Sequence, residues 1–339
     1  MAVTLRDLAR ECGVSIYAVS RVLSGKPIYL VAEKRERILA AAKKRQFTPN
    51  AAARTLKTRK ASTVGLVVNH ITDSYILRII EDLSLALCEL DFALLLGNAR
   101  DDLGREMAEI EAMGRRQCDA LVVMSSFDVV KDRGRRAAYG KLLEQSGAVY
   151  FIDSPPPLPQ ARFAMSDNEG GAFRAVDQLL SRGKAPVYYL CGDKTYRVTA
   201  ARQEGCRRAA EAHGVPWQRL RLDPEGVDSL PGALTQMEQG SILFYESLGN
   251  PLERQLSFLK KAGRRIPQDL RVCGFDAPVA GDALFFLKEN AGVLTSPIPH
   301  MLQDRGQMVA AIVGALKRVI AGEAPPPLAL AIPPIAVDF

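Results

Sequence analysis

The side chains best suited to chemistry in this 339-residue chain are cations, and they are gathered at one end. Residues 1–60 carry 14 Lys/Arg against 4 Asp/Glu, whereas the remainder carries 31 against 34. A basic head on a near-neutral body points to a polyanion bound by the head alone. Within that head the stretch Thr4–Leu23 (TLRDLARECGVSIYAVSRVL) has a spacing that could present such groups to nucleic acid. Leu5, Leu8, Ala9 and Cys12 recur at i, i+3, i+4 and i+7, one apolar face of a short helix. Thr4 and Asp7 form a capping-box pair in front of it. Gly13 breaks the helix, and Ser15 can cap a second whose buried face is Ile16 or Val19 with Val22 and Leu23. Two short helices about a Gly-containing turn read as helix-turn-helix, in which the second helix offers its N-terminal residues to base edges in the major groove. A generic helical hairpin is the competing reading, and the surrounding positive charge disfavours it.

Other chemistries find little support. The six cysteines (Cys12, Cys88, Cys118, Cys191, Cys206, Cys273) are scattered without a CxxC, and His70, His213 and His300 are isolated. Reduced thiols are therefore expected, with no disulfide frame, zinc site or cofactor. GxxxxGK[ST], GxSxG and HExxH are absent, and Gly192-Asp193-Lys194-Thr195 resembles only the tail of a phosphate loop. An enzyme is not expected. No apolar run approaches the length of a membrane span, so a cytoplasmic, nucleoid-associated protein is anticipated.

The elements that must position the head and body follow in order. A turn at Ser24–Pro27 leads to a third helix over 32–46, with Ile38, Leu39 and Ala42 expected to face the first two. The basic segment from Asn50 is about two turns long, too short to be a stable helix alone. From Thr63 strands and helices alternate: TVGLVV, SYILRIIEDLSLALCEL, FALLLGNA, LGREMAEIEAMGRRQ, DALVVMSS, a helix near 136–146, and AVYFID. The proline run 154–159 reads as a linker, after which the pattern repeats to a long helix over 300–322 and a closing PPPLALAIPPIAV. Alternation of this kind implies α/β architecture with parallel sheets covered on both faces. The length suits two or three domains.

GVSIYAVSRVL and PNAAARTLK, with the strand TVGLVV beyond them, resemble the start of a LacI/GalR-family transcriptional regulator. The likeness continues through nearly all of the chain. It implies a helix-turn-helix DNA-binding domain over 1–48, a hinge helix and linker over 49–61, and an effector-binding and dimerisation core over 62–339. That core would be periplasmic-binding-protein-like, with two doubly wound α/β lobes. Lobe 1 would comprise about 62–158 and 293–321, and lobe 2 about 159–292 and 322–339. Crossings would fall near 155–160, 292–297 and 322–327.

The resemblance also implies partners and sites: a palindromic double-stranded operator, a sugar-like small-molecule effector and a second copy of the chain in a homodimer. DNA contacts fall on Thr4, Ser15, Ile16, Tyr17, Ser20 and Arg21 in the head, and on Asn50, Ala53, Leu56 and Lys57 in the hinge. Leu56 would wedge between base pairs and kink the duplex. Arg21 suits a guanine O6/N7 edge, and Ile16 a thymine methyl. Effector contacts fall on Asp73, Tyr75, Ser125, Asp153, Asp167, Arg202 (in R-Q-E-G) and Asp276 (in G-F-D). An arginine among carboxylates suits a polyhydroxylated ligand. Three departures stand out. Val31 and Lys34 replace a capping Ser and a Thr, Ala277 replaces an Asp, and Tyr245-Glu246-Ser247-Leu248-Gly249 replaces N-D-x-x-A-L-G. The function implied is a metabolite-responsive repressor. The alternatives are a regulator whose core binds no effector, and a sugar-binding protein with an incidental basic head.

Overall fold

Helix α1 (Leu5–Cys12) begins where the sequence supplies its cap: Asp7 N donates to Thr4 Oγ1 at 3.3 Å, and Thr4 N to the Asp7 carboxylate at 3.0 Å. Gly13, at φ 62°, ends it in the left-handed conformation that costs glycine little. Helix α2 (Ile16–Leu23) starts at Ser15, whose hydroxyl accepts from Ala18 N at 3.1 Å. Helix α3 (Ala32–Lys44) starts at Val31 with no side-chain cap, as the substitution of serine there implies. Leu8, Ala9 and Cys12 pack with Val19, Val22, Ile38, Ala41 and Ala42 in one apolar core. Of the two alternatives for the inward place on α2, Val19 takes it and Ile16 is 44% exposed; one expectation needs correcting, since Leu39 is 48% exposed while Ala41 is buried. Positions 38, 41 and 42 lie on one helical face, and Leu39 lies a step of about 100° off it.

The computed structural model describes residues 3–25, 27–47, 61–192, 194–221, 230–247, 252–276, 292–293 and 298–337. The hinge candidates Asn50, Ala53, Leu56 and Lys57, and the altered positions Ala277, Leu248 and Gly249, lie outside the described residues. The chain divides into two units, residues 1–61 and 62–339.

In the larger unit, β1 (Thr63–Val68), β2 (Ala93–Asn98), β3 (Ala120–Val123), β4 (Val149–Ile152), β5 (Phe163–Ser166) and β11 (Ala329–Ile332) form one parallel sheet, ordered β11-β5-β4-β3-β1-β2. A second sheet, ordered β12-β10-β9-β8-β6-β7, joins β6 (Val187–Cys191), β7 (Trp217–Arg221), β8 (Ile242–Tyr245), β9 (Arg271–Phe275), β10 (His300–Leu302) and β12 (Ile335–Val337). Its final pair, β10 and β12, is antiparallel. Helices α4 (Ser74–Cys88) and α11 (Arg305–Ile320) cover one face of the first sheet, with Ile79, Leu83, Met308 and Ile312 packed on Leu66, Val122 and Tyr150. Helices α5 (Leu103–Arg115) and α6 (Arg136–Gln145) cover the other. On the second sheet, α7 (Asn168–Ser181) and α8 (Arg197–His213) pack on one face, and α9 (Leu230–Gln236) with α10 (Leu252–Lys261) on the other. No helix among the described residues is long and apolar enough to cross a membrane.

The lobe boundaries differ from expectation. Strand β5 pairs with β4 and β11, so the chain leaves the first lobe after Ser166 and not at the proline run. It returns between Leu302 and Arg305, because residues 300–302 are a strand on β9 and not the start of the long helix. It crosses again at Pro333-Pro334, between β11 in one sheet and β12 in the other. Each crossing sits where strand pairing changes sheet, a property of long-range partners and not of local composition.

One close approach sets the packing of the second lobe. A Cβ on Gly205 would lie 2.1 Å from the Glu169 carbonyl oxygen and 2.9 Å from Phe173 N, so α8 touches α7 backbone to backbone there. Gly114, also helical, has open space at the same test. Gly205→Ala should therefore lower the unfolding free energy by about 1–3 kcal/mol through overpacking, while Gly114→Ala should raise it by about 0.5–1 kcal/mol. Urea unfolding of the full chain checks both, and equal effects would contradict the assigned contact.

Candidate functional site

Two surfaces hold the candidate residues. In the head, Tyr17 is 61% exposed at the start of α2 beside half-exposed Ile16, with Ser20 and Arg21 partly covered. Large apolar side chains facing outward on a short helix have no role in that unit's core. Thr4 and Ser15 act as helix caps. The Arg21 guanidinium is folded back: Nε donates to the Pro27 carbonyl at 3.1 Å, and its Cζ lies 5.8 Å from the Tyr17 ring centroid. To reach a base edge it must release that carbonyl.

In the larger unit the carboxyl ends of both sheets carry charged residues, where ligands bind in open α/β folds. Asp153 follows β4 and Asp276 follows β9, each at positive φ (62° and 56°). Asp73 caps α4 by accepting from Tyr75 N at 2.7 Å, and the Tyr75 hydroxyl donates to Asp153 Oδ1 at 3.4 Å. Arg202, on α8, joins these from the second lobe. Its Nε donates to Asn168 Oδ1 at 2.7 Å, and another nitrogen donates to the Glu246 carbonyl. Its third nitrogen is 3.9 Å from Asp276 Oδ2, and its Cζ lies 3.9 Å from the Phe275 ring centroid. Gln303 Nε2 donates to Asp276 Oδ2 at 2.7 Å. The Glu246 carboxylate accepts from Gly192 N at 3.0 Å and from the Tyr189 hydroxyl at 3.3 Å.

Burial dominates the electrostatics. It pushes the Asp153 carboxyl up to about 6 against the opposing pull of Arg202, with the neighbouring Asp276 charge adding to the rise. Burial likewise raises Asp276 and Glu246, and holds the Tyr75 phenol well above its usual range.

The structure thus brings Asp73, Tyr75, Asp153, Arg202 and Asp276 together, but not Ser125 or Asp167. Ser125 turns into the first lobe, donating to Glu106 Oε1 at 2.9 Å beside the Tyr139 hydroxyl, because that buried carboxylate needs donors. Asp167 caps α7, accepting from Gly170 N at 2.9 Å, with Arg174 at 3.6 Å. Asn168, Glu246, Phe275 and Gln303 belong to the cluster and were not anticipated. Glu246 and Phe275 had a signal, since the first lies in the stretch that departs from the family pattern and the second in G-F-D. The phosphate-loop-like tail is also accounted for. Lys194 Nζ donates to the Asp101 carbonyl, Thr195 N to Asp128 Oδ2 at 3.1 Å, and the Tyr196 hydroxyl to Asp101 Oδ1 at 2.7 Å. This turn clasps the second lobe to the first. Among the described residues no group of three His, Cys, Asp or Glu is placed to hold a metal ion.

A capped helix-turn-helix unit followed by two α/β lobes with a polar cluster at the carboxyl ends of their sheets defines a fold class: a helix-turn-helix head on a periplasmic-binding-protein-like core. Comparison with known proteins narrows it. Residues 4–50 match the model for bacterial regulatory proteins, lacI family. The HTH-type transcriptional regulator GalS of Salmonella typhimurium (strain LT2) is 28% identical over 284 residues, covering 82% of each chain. A lac repressor dimer solved with operator and the anti-inducer ONPF superposes with a TM-score of 0.81 at 18% identity, covering 100% of this chain and 98% of that one. The transcriptional regulator CelR–cellobiose complex gives 0.61 at 22% identity, covering 99% and 98%. The head thus matches the lacI-family model, and the chain as a whole is similar to DNA-binding transcriptional regulators and shares the fold of the lac repressor.

Because the folded Asp153 carboxyl titrates above its unfolded value, the native state holds more protons than the unfolded state between about pH 4 and 6. Its ionisation therefore removes stability as pH rises through that window. Asp153→Asn should match the parent near pH 4 and exceed it in stability above about pH 6, read by denaturant midpoints at the two ends. A constant difference at both pH values would contradict the burial of an ionisable group there.

Proposed function

We propose that the protein is a metabolite-responsive repressor that binds a palindromic operator as a homodimer and takes a small, sugar-like effector between the lobes of its core. The observation that carries the DNA half is the outward face of α2, where Tyr17 and Ile16 are exposed on a capped helix in the basic unit. Ser20 and Arg21 lie on the same helix, and Thr4 and Ser15 at the helix starts, all within reach of phosphates or base edges in a major-groove docking. Asn50, Ala53, Leu56 and Lys57, outside the described residues, are the candidates for contacts in the minor groove between two protomers. One helix-turn-helix presents little surface, which is the reason for two.

The effector half rests on Asp73, Tyr75, Asp153, Arg202 and Asp276 at the facing sheet edges. The operator and anti-inducer on the lac repressor and the cellobiose on CelR give the same pairing of partners in relatives of this fold. Ser125 and Asp167 act on the framework of the site and not on the ligand. A ligand that favours one lobe arrangement shifts the spacing of the two hinges, and couplings of about 1–3 kcal/mol would change operator affinity about 5–150-fold.

The test is selection of binding sites from random duplex DNA with the full chain, followed by titration of the winner. A palindromic site is expected, and with ~6–10 phosphate contacts its affinity should fall roughly 10³–10⁵-fold between about 50 and 200 mM salt. Enrichment of a single half-site, or a flat salt response, would overturn the dimeric reading.

A further inference from the structure

The polar groups left over in the core cleft define what it can take. We infer that this site selects a hydroxylated ligand bearing a protonated amine, an amino sugar by chemical class, and discriminates against acidic and phosphorylated sugars. The inference rests on the proposed effector role of the cleft and adds the charge of its occupant.

Three observations carry it. First, the Arg202 guanidinium is already engaged on Asn168, on the Glu246 carbonyl, against Asp276 and over the Phe275 ring. An anionic ligand would have to strip it from buried partners. Second, the unmet groups are acceptors. Asp276 Oδ1 and Gln303 Oε1 are buried without a donor among the described residues, in side chains 8% and 3% exposed. The amide orientation of Gln303 follows from chemistry, since its NH₂ must be the end that donates to the Asp276 carboxylate. Asp153 receives the Tyr75 hydroxyl at a long 3.4 Å. Buried acceptors in this condition call for hydroxyl or ammonium donors. Third, the charge is unbalanced at the two aspartates: Asp153 and Asp276 are buried against one guanidinium, Arg202, and the Asp73 charge acts on both, whereas Glu246 has Arg219 as well as Arg202 to offset it. An incoming cation offsets that imbalance, whereas an incoming anion worsens it.

Arg197 is the cation an acidic ligand would have to use instead. It starts α8, half-buried, with its Cζ 5.1 Å from the Phe163 ring centroid. Burial lowers the pKa of its guanidinium, which stays charged, and no carboxylate of the cluster contributes to that shift. It therefore sits apart from the acceptors that need donors.

The experiment is isothermal titration of the full chain at about pH 7 with matched sets in the gluco, galacto and manno configurations. Each set holds the 2-amino sugar, the neutral hexose, the uronic acid and the hexose 6-phosphate. A charge-assisted donor exceeds a neutral one by roughly 1.4 kcal/mol, which is about tenfold. In the configuration that binds, the amino sugar should be about tenfold tighter than the neutral hexose, with the acid and the phosphate weaker than both. Asp153→Asn should lower the ratio of amino-sugar to neutral-hexose affinity, whatever its effect on either affinity alone. Tighter binding of the uronic acid or phosphate would overturn the inference and leave the effector reading standing. Failure of every set to bind would overturn the effector reading itself, and the inference with it.

Discussion

A buried guanidinium organises the core. Arg202 is 4% exposed, and a cation so placed is tolerable only with its donors met and a counter-charge close by. The fold meets this by bringing three separate pieces to it: Asn168 at the start of α7, the Glu246 carbonyl after β8, and Phe275-Asp276 at the end of β9. Gly205 lies one helical turn along from Arg202 and lets α8 approach α7 backbone to backbone. The R-x-x-G spacing is thus one device: the glycine permits the approach and the arginine uses it.

The same demand shapes the strand ends. Asp153 and Asp276 each close a strand in left-handed backbone, at comparable positions in two sheets of matching order. Asp276 lies 3.9 Å from Arg202 and Asp153 is near enough to feel its charge, while the turn Lys194–Tyr196 fastens the opposite lobe at Asp101 and Asp128. Among the described residues the chain crossings, this clasp and the Arg197–Phe163 contact connect the lobes. A change of lobe arrangement exchanges such contacts, and ligands act on it through differential affinity for the alternatives.

What the sequence disclosed and what it withheld separate by range. The head was legible because its signals are local: Thr4 with Asp7, Gly13, and Ser15 each act within one helical turn. The parallel-sheet alternation was legible because its apolar runs are long. Strand β5 was not read, since four residues after a proline run have no periodicity and are a strand only through β4 and β11. Strand β10 was absorbed into the following helix because His300-Met301-Leu302 continues its apolar pattern; only pairing with β9 separates them. Both misreadings displaced lobe boundaries. The family resemblance located five residues of the cluster, yet Ser125 and Asp167 went elsewhere. Their nearest needs are a buried Glu106 carboxylate and an uncapped helix start, neither visible without the fold. Glu246 and Gln303 come from two strand ends that meet only in the folded sheet.

The claim on which the rest depends is that Arg202 and Asp276 are energetically coupled inside the core. A double-mutant cycle tests it directly: Arg202→Met and Asp276→Asn, singly and together, with urea unfolding of the full chain as the readout. Coupled charges in one buried network should give an interaction energy of at least about 1 kcal/mol. Effects that add within about 0.5 kcal/mol would mean that the two side chains are independent and that the cluster is not the organising unit of the core.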